Sequence, residues 1–112
     1  MGGLHVTNAF MAQPEMFAYI NVMSSGWFIT DKEMYEKGDK RLAEIAPVLN
    51  RTIKYLRFTQ GGAEDIAYKN GLEMLKVFDK NKVKYEFSEM PGGHSWNVWR
   101  KDLRDFAPKL FR

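Results

Sequence analysis

The sequence predicts an α/β fold in which three parallel strands are flanked by helices in three layers, within a single unit spanning residues 1–112. Three observations carry this expectation. Apolar residues recur at helical spacing in several stretches, short apolar or alternating runs lie between them, and Gly and Pro fall at the junctions. Each strand-to-strand crossover then contains a helix, the connection that returns the chain to the same edge and makes successive strands parallel.

The elements follow in order. Residues 2–12 read as a helix that ends ahead of Gln13-Pro14, because a residue before proline is pushed out of the helical region. Residues 17–23, Phe-Ala-Tyr-Ile-Asn-Val-Met, form the first strand, closed by Ser24-Ser25-Gly26. Residues 30–46 form the second helix, with Thr30 or Asp31 as N-cap, Leu42 and Ile45 on one face, a break near Gly38 and Pro47 just past the end. Ile53 to Thr59 is the second strand, running into Gln60-Gly61-Gly62. Residues 64–80 form the clearest helix, since Tyr68, Leu72, Leu75 and Phe78 share a face that must be buried.

Val83, Tyr85 and Phe87 alternate with Lys84, Glu86 and Ser88, the period-two pattern of an edge strand with one wetter face. Pro91-Gly92-Gly93 ends it. The last helix starts near Ser95, repeats apolar residues at Trp99, Leu103, Phe106 and Leu110, and breaks near Pro108. Trp96 and Trp99 are expected to pack this helix onto the sheet.

Composition narrows the function classes. A chain that is 45% hydrophobic and 14% aromatic can fill one core and is not a disordered segment. Its 17 basic and 14 acidic residues are interspersed, as in Asp31-Lys32-Glu33, so the net charge of +3 does not form the one-sided stripe of a nucleic-acid binder. No apolar run approaches the ~20 residues of a membrane span. Without cysteine there is no disulfide, thiolate metal site or cysteine nucleophile, and the compartment stays open. His5, His94 and the carboxylates lack the spacing of a metal site.

In a parallel sheet flanked by helices, catalytic groups gather on the loops at the carboxyl ends of the strands. Glu64-Asp65 follows the second strand and His94 follows the third. Neighbouring strands lie ~4.8 Å apart, so a carboxylate on one loop reaches an imidazole on the next. Two readings stand at this point. The pair is the acid and base of a serine-hydrolase triad, which suits the chain order acid then histidine. Alternatively, His94 is a capping histidine and Asp65 an acid favoured by a helix N-terminus.

The segments Gly-Gly-Ala-Glu-Asp-Ile-Ala-Tyr (61–68) and Pro-Gly-Gly-His-Ser-Trp-Asn-Val-Trp-Arg-Lys-Asp-Leu (91–103) resemble the acid and histidine motifs of an esterase family of α/β-hydrolases. That family includes feruloyl esterases, acetyl xylan esterases and the esterase D group. The opening Met-Gly-Gly-Leu-His resembles the residues just after the serine in the family's Gly-x-Ser-Met-Gly-Gly elbow, so the resemblance covers essentially the whole chain.

The resemblance implies a partial α/β-hydrolase fold and a cofactor-free hydrolysis of a carboxylic ester, a feruloyl or acetyl ester of plant polysaccharide. His94 matches the base and Asp65 the acid, with Glu64 the runner-up because the two carboxylates are adjacent. The nucleophilic serine would immediately precede Met1, whose backbone N–H matches an oxyanion-hole donor. Ser25, Trp27 and Trp96, with Phe28, are expected to line the substrate cleft. Ser24 and Ser25 are poor replacements for the nucleophile, since Ser-Ser-Gly-Trp is not a strand-to-helix elbow.

A sheet that starts on a helix leaves its first strand without a neighbour on one side. The expected consequence is an open edge rich in Phe, Ile and Val and a homo-oligomer formed through it. A non-catalytic, self-associating module is the alternative to the enzyme.

Overall fold

Alternation along the strands sets the layers. In the computed structural model, which describes residues 1–27 and 31–111, the elements run α1 (Gly2–Ala12), β1 (Tyr19–Met23), α2 (Lys32–Thr52), β2 (Tyr55–Gln60), α3 (Tyr68–Lys80), β3 (Glu86–Glu89) and α4 (Trp96–Phe106). A short 3-10 turn, Ala107–Lys109, comes next and takes up Pro108. The strands are parallel in the order β1-β2-β3, with Tyr19 opposite Tyr55 and Arg57 opposite Glu86. Among the described residues no helix is long and apolar enough to cross a membrane.

Ile20, Val22, Leu56 and Phe58 face one way and bury against Phe10 of α1, Leu42, Ile45 and Leu49 of α2, and Met74, Val77 and Phe78 of α3. Each of these large side chains contributes roughly 1.5–3 kcal/mol by leaving water. Among the alternate positions, the polar Asn21, Arg57 and Thr59 face α4. Asp102 of α4, fully buried, accepts from Asn21 Nδ2 at 2.7 Å, Arg57 Nε at 2.8 Å and Thr59 Oγ1 at 2.6 Å. Arg57 reaches on to Glu86 of β3 at 3.2 Å, so one carboxylate ties α4 to all three strands. Tyr55 stacks on Phe106 at 5.3 Å beside this network.

Several expected boundaries move. The second helix neither breaks at Gly38 nor stops before Pro47 but runs unbroken to Thr52. Pro47 lies on the exposed face, where the Ala43 carbonyl that loses its partner meets water, while Leu42, Ile45, Ala46 and Leu49 carry the buried stripe across it. Gly38 serves packing instead, since a Cβ there would sit 3.2 Å from the Trp27 ring. Asp31 is the N-cap, its carboxylate accepting the Met34 N–H at 2.8 Å, and the alternative, Thr30, lies outside the described residues.

The third helix starts at Tyr68 rather than residue 64, because the Asp65 carboxylate takes the Ala67 N–H and holds 63–67 as turns. On α4 the buried stripe is Val98, Asp102 and Phe106, not the apolar series through Leu103, which is 54% exposed. A charged residue occupies the central buried position because the facing sheet surface presents Arg57. Trp96 does not pack onto the sheet, being 70% exposed.

Candidate active site

The loops after β2 and β3 are joined backbone to backbone. The Gly93 N–H donates to the Gly61 carbonyl at 2.7 Å, and a Cβ on Gly61 would collide with the Gly93 carbonyl. Gly93 itself has φ 69°, in the left-handed region that glycine enters without steric cost. This contact sets the spacing of the residues beyond each strand end.

Asp65 and His94 meet across it. His94 Nδ1 lies 2.9 Å from Asp65 Oδ1, with the Asp65 side chain buried and the imidazole about a third exposed. Asp65 Oδ2 accepts the Gly61 N–H at 2.9 Å and Oδ1 the Ala67 N–H at 3.0 Å, so the carboxylate is fixed from both ends. Burial opposes its charge, but the adjacent Ser24 hydroxyl, the Ala67 N–H, His94 and the Gly61 N–H together outweigh that and hold the carboxyl below its ordinary range. An ionised partner at Nδ1 favours the tautomer that carries its proton there, leaving Nε2 as the acceptor.

Glu64, the runner-up acid, turns elsewhere: its Oε1 accepts the Gly92 N–H at 3.0 Å. That backbone donor holds the Glu64 carboxyl below its ordinary range. Glu64 therefore braces the turn before His94 and does not touch the imidazole.

His94 opens on a cleft of about 410 Å³ lined also by Met1, Gly2 and Gly3 of the α1 start, Asn21 and Ser24 of the β1 side, and Trp96 and Trp99 of α4. Of the residues expected there, Met1 and Trp96 are present. Ser25 is 3% exposed, with its hydroxyl against the Gly26 carbonyl, and does not face the cleft; the neighbouring Ser24 does. Trp27 packs into the core, its ring 5.9 Å from Phe78 and 6.3 Å from Tyr35. Phe28 lies outside the described residues. Among the described residues no three His, Asp or Glu side chains converge as a metal would need.

Two residues that sequence reasoning assigned no such role stand at the site. Ser24 ends β1 with φ 46°, rare for a non-glycine residue, and its Oγ accepts the Trp99 indole N–H at 2.9 Å. Trp99 also meets the His94 ring edge to face at 5.0 Å. The Ser-Ser pair after an apolar run marks the strand end, but nothing in its composition signals the left-handed turn.

An acid and a histidine on successive carboxyl-end loops of a parallel sheet, facing a cleft, have the layout of an α/β-hydrolase. The chain belongs to the esterase family whose model, described as "Putative esterase", matches residues 1–110. Its fold is similar to that of a solved ferulic acid esterase, with a TM-score of 0.72 and 20% identity over 97% of this chain and 47% of that one. It is similar also to a serine-to-alanine mutant of the feruloyl esterase module from Clostridium thermocellum complexed with sinapinate, with a TM-score of 0.76 and 22% identity over 99% of this chain and 43% of that one. The chain thus spans under half the length of each.

Proposed function

We propose that this chain supplies the base and the orienting acid for hydrolysis of a carboxylic ester. The observation that carries the reading is the 2.9 Å contact between Asp65 and His94 at the cleft. In this reading a serine immediately before Met1 attacks the ester carbonyl while His94 Nε2 takes its proton. The carbon–oxygen bond to the alcohol then breaks and His94 returns the proton to that oxygen. Water repeats the sequence on the acyl-enzyme and releases the acid. Met1, Gly2 and Gly3 line the cleft, and backbone N–H groups at this helix start would suit the developing oxyanion.

The substrate class we favour is a feruloyl or acetyl ester of plant polysaccharide. Support comes from the exposed Trp96, set edge to face against Trp99 at 5.3 Å, an aromatic wall fit for a planar acyl ring or a sugar face. The two structural neighbours are themselves described as feruloyl or ferulic acid esterases. A second reading, a self-associating module, draws on β1, which pairs with β2 on one side and with no other strand among the described residues.

The test compares methyl ferulate and an activated acetyl ester as substrates of a protein that carries this chain behind its serine. Turnover abolished by a serine-directed phosphonate and by His94→Ala supports the proposal, and turnover indifferent to both overturns it. The 112 residues alone should show no phosphonate-sensitive turnover. Such turnover would redirect attention to Ser24, the serine on the cleft wall.

A further inference from the structure

Trp99 makes two contacts at once: its indole N–H donates to Ser24 Oγ at 2.9 Å, and its ring meets the His94 imidazole edge to face at 5.0 Å. An indole is a donor only, so Ser24 Oγ is the acceptor in that bond and its single proton is free to point elsewhere. Ser24 is 4% exposed, and Asp65 is the carboxylate beside its hydroxyl. The turn that brings it there is costly for a side chain, with φ 46°, and is held by the Ser24 N–H donating to the Thr59 carbonyl at 2.7 Å.

We propose that Ser24 and Trp99 are a positioning pair for the acid and base: Trp99 orients the Ser24 hydroxyl so that its proton is given to Asp65, while the Trp99 ring sets the plane of His94. The hydroxyl fills a lone pair of the carboxylate that the Gly61 and Ala67 N–H groups and His94 leave open. Asp65 is thereby held both ionised and in the rotamer that faces Nδ1. The neighbouring carboxylate, Glu64, is turned to the Gly92 N–H.

The catalytic meaning of the pair rests on the triad proposed above, but its geometry is tested separately. Ser24→Gly removes the hydroxyl while suiting the left-handed backbone better than serine does, so folding is kept. Trp99→Phe keeps a ring against His94 and removes only the donor. Each variant of the 112-residue chain is followed by NMR, through the Asp65 carboxyl titration and the His94 Nδ1 proton signal, with dispersed amide spectra showing the fold intact. The expected result is that both variants move the Asp65 titration up toward the ordinary carboxylate range and speed exchange of the His94 Nδ1 proton. In a protein carrying the serine, both should lower kcat roughly ten- to hundred-fold with KM little changed. An unmoved Asp65 titration in both variants overturns the proposal, and a shift with Ser24→Gly alone overturns the role of Trp99. If instead ester turnover ignores His94→Ala while the titrations move as expected, the triad fails and the pair stands.

Discussion

Gly61 and Gly93 touch through their main chains, a 2.7 Å hydrogen bond that locks the loop carrying the acid to the loop carrying the histidine. A methyl group at Gly61 would meet the Gly93 carbonyl, which is backbone and cannot swing away. Gly61→Ala should therefore push the loops apart and lengthen the Asp65–His94 contact. Expected outcomes are loss of the His94 Nδ1 proton signal and a kcat reduced about a hundred-fold, since misplacement near 1 Å costs that much.

Asp65→Asn keeps the shape of the acid and removes its charge, so it tests the orienting role. In a protein carrying the serine, kcat should fall about 10⁴-fold, because an amide favours the wrong imidazole tautomer. Glu64→Gln should leave kcat near the parent value. Equal losses in both variants would mean that the loop, not the acid, matters.

Asp102→Ala would leave Arg57, 3% exposed, without its buried counter-charge. Removing one partner of a buried ion pair costs about 3–5 kcal/mol, which urea denaturation would read as a large fall in midpoint. Replacing both, with Leu at 102 and Met at 57, should recover most of that loss. Glu86 and Lys109, at the exposed end of the network, should matter far less.

Stability should fall in acid through Asp65. Its carboxyl is held below the unfolded value of 3.8, so its contribution is complete above that value and is lost as pH drops through the lower folded one. Comparing urea midpoints near about pH 6 and about pH 2 in the parent and in Asp65→Asn checks this: the variant should lose less on acidification. An equal loss in both would assign the acid sensitivity to other carboxylates.

The 112-residue chain should self-associate through β1, whose outer edge pairs with no strand among the described residues and lies beside the partly buried Tyr19 and Phe17. Light scattering at micromolar concentration should report a species larger than a monomer. A clean monomer with fast amide exchange along Tyr19–Met23 would count against it.

Much of this arrangement was legible in the residues. The three strands and their order follow from punctuation, and the nearness of the Glu64-Asp65 loop to His94 follows from where parallel strands end; the choice of Asp65 over Glu64 comes from the family resemblance. The features that escaped depended on partners distant in sequence. Pro47 reads as a helix stop until Leu49 is seen buried behind it, and the polar Asp102 breaks the apolar stripe of α4 until Arg57 is seen opposite. Glu64 and Asp65 are alike as letters, and only the position of the Gly92 N–H separates them. Trp27 and Ser25 sit where a cleft lining was expected, yet burial against Phe78 and the Gly26 carbonyl decides their direction.

The sequential strand order has a consequence for synthesis. Each strand pairs with the one made just before it, so a chain leaving the ribosome can lay down β1, α2, β2, α3 and β3 without waiting for a distant segment. Only α4 comes after these strands are complete, and it carries the carboxylate that Asn21, Arg57 and Thr59 all require. Until Asp102 emerges, Arg57 has only the partly exposed Glu86 of β3 as a counter-charge, and burying that face would cost more than leaving it in water. α4 is thus the piece that completes the polar face of the sheet, and a chain ended before that helix would leave Arg57 with Glu86 alone.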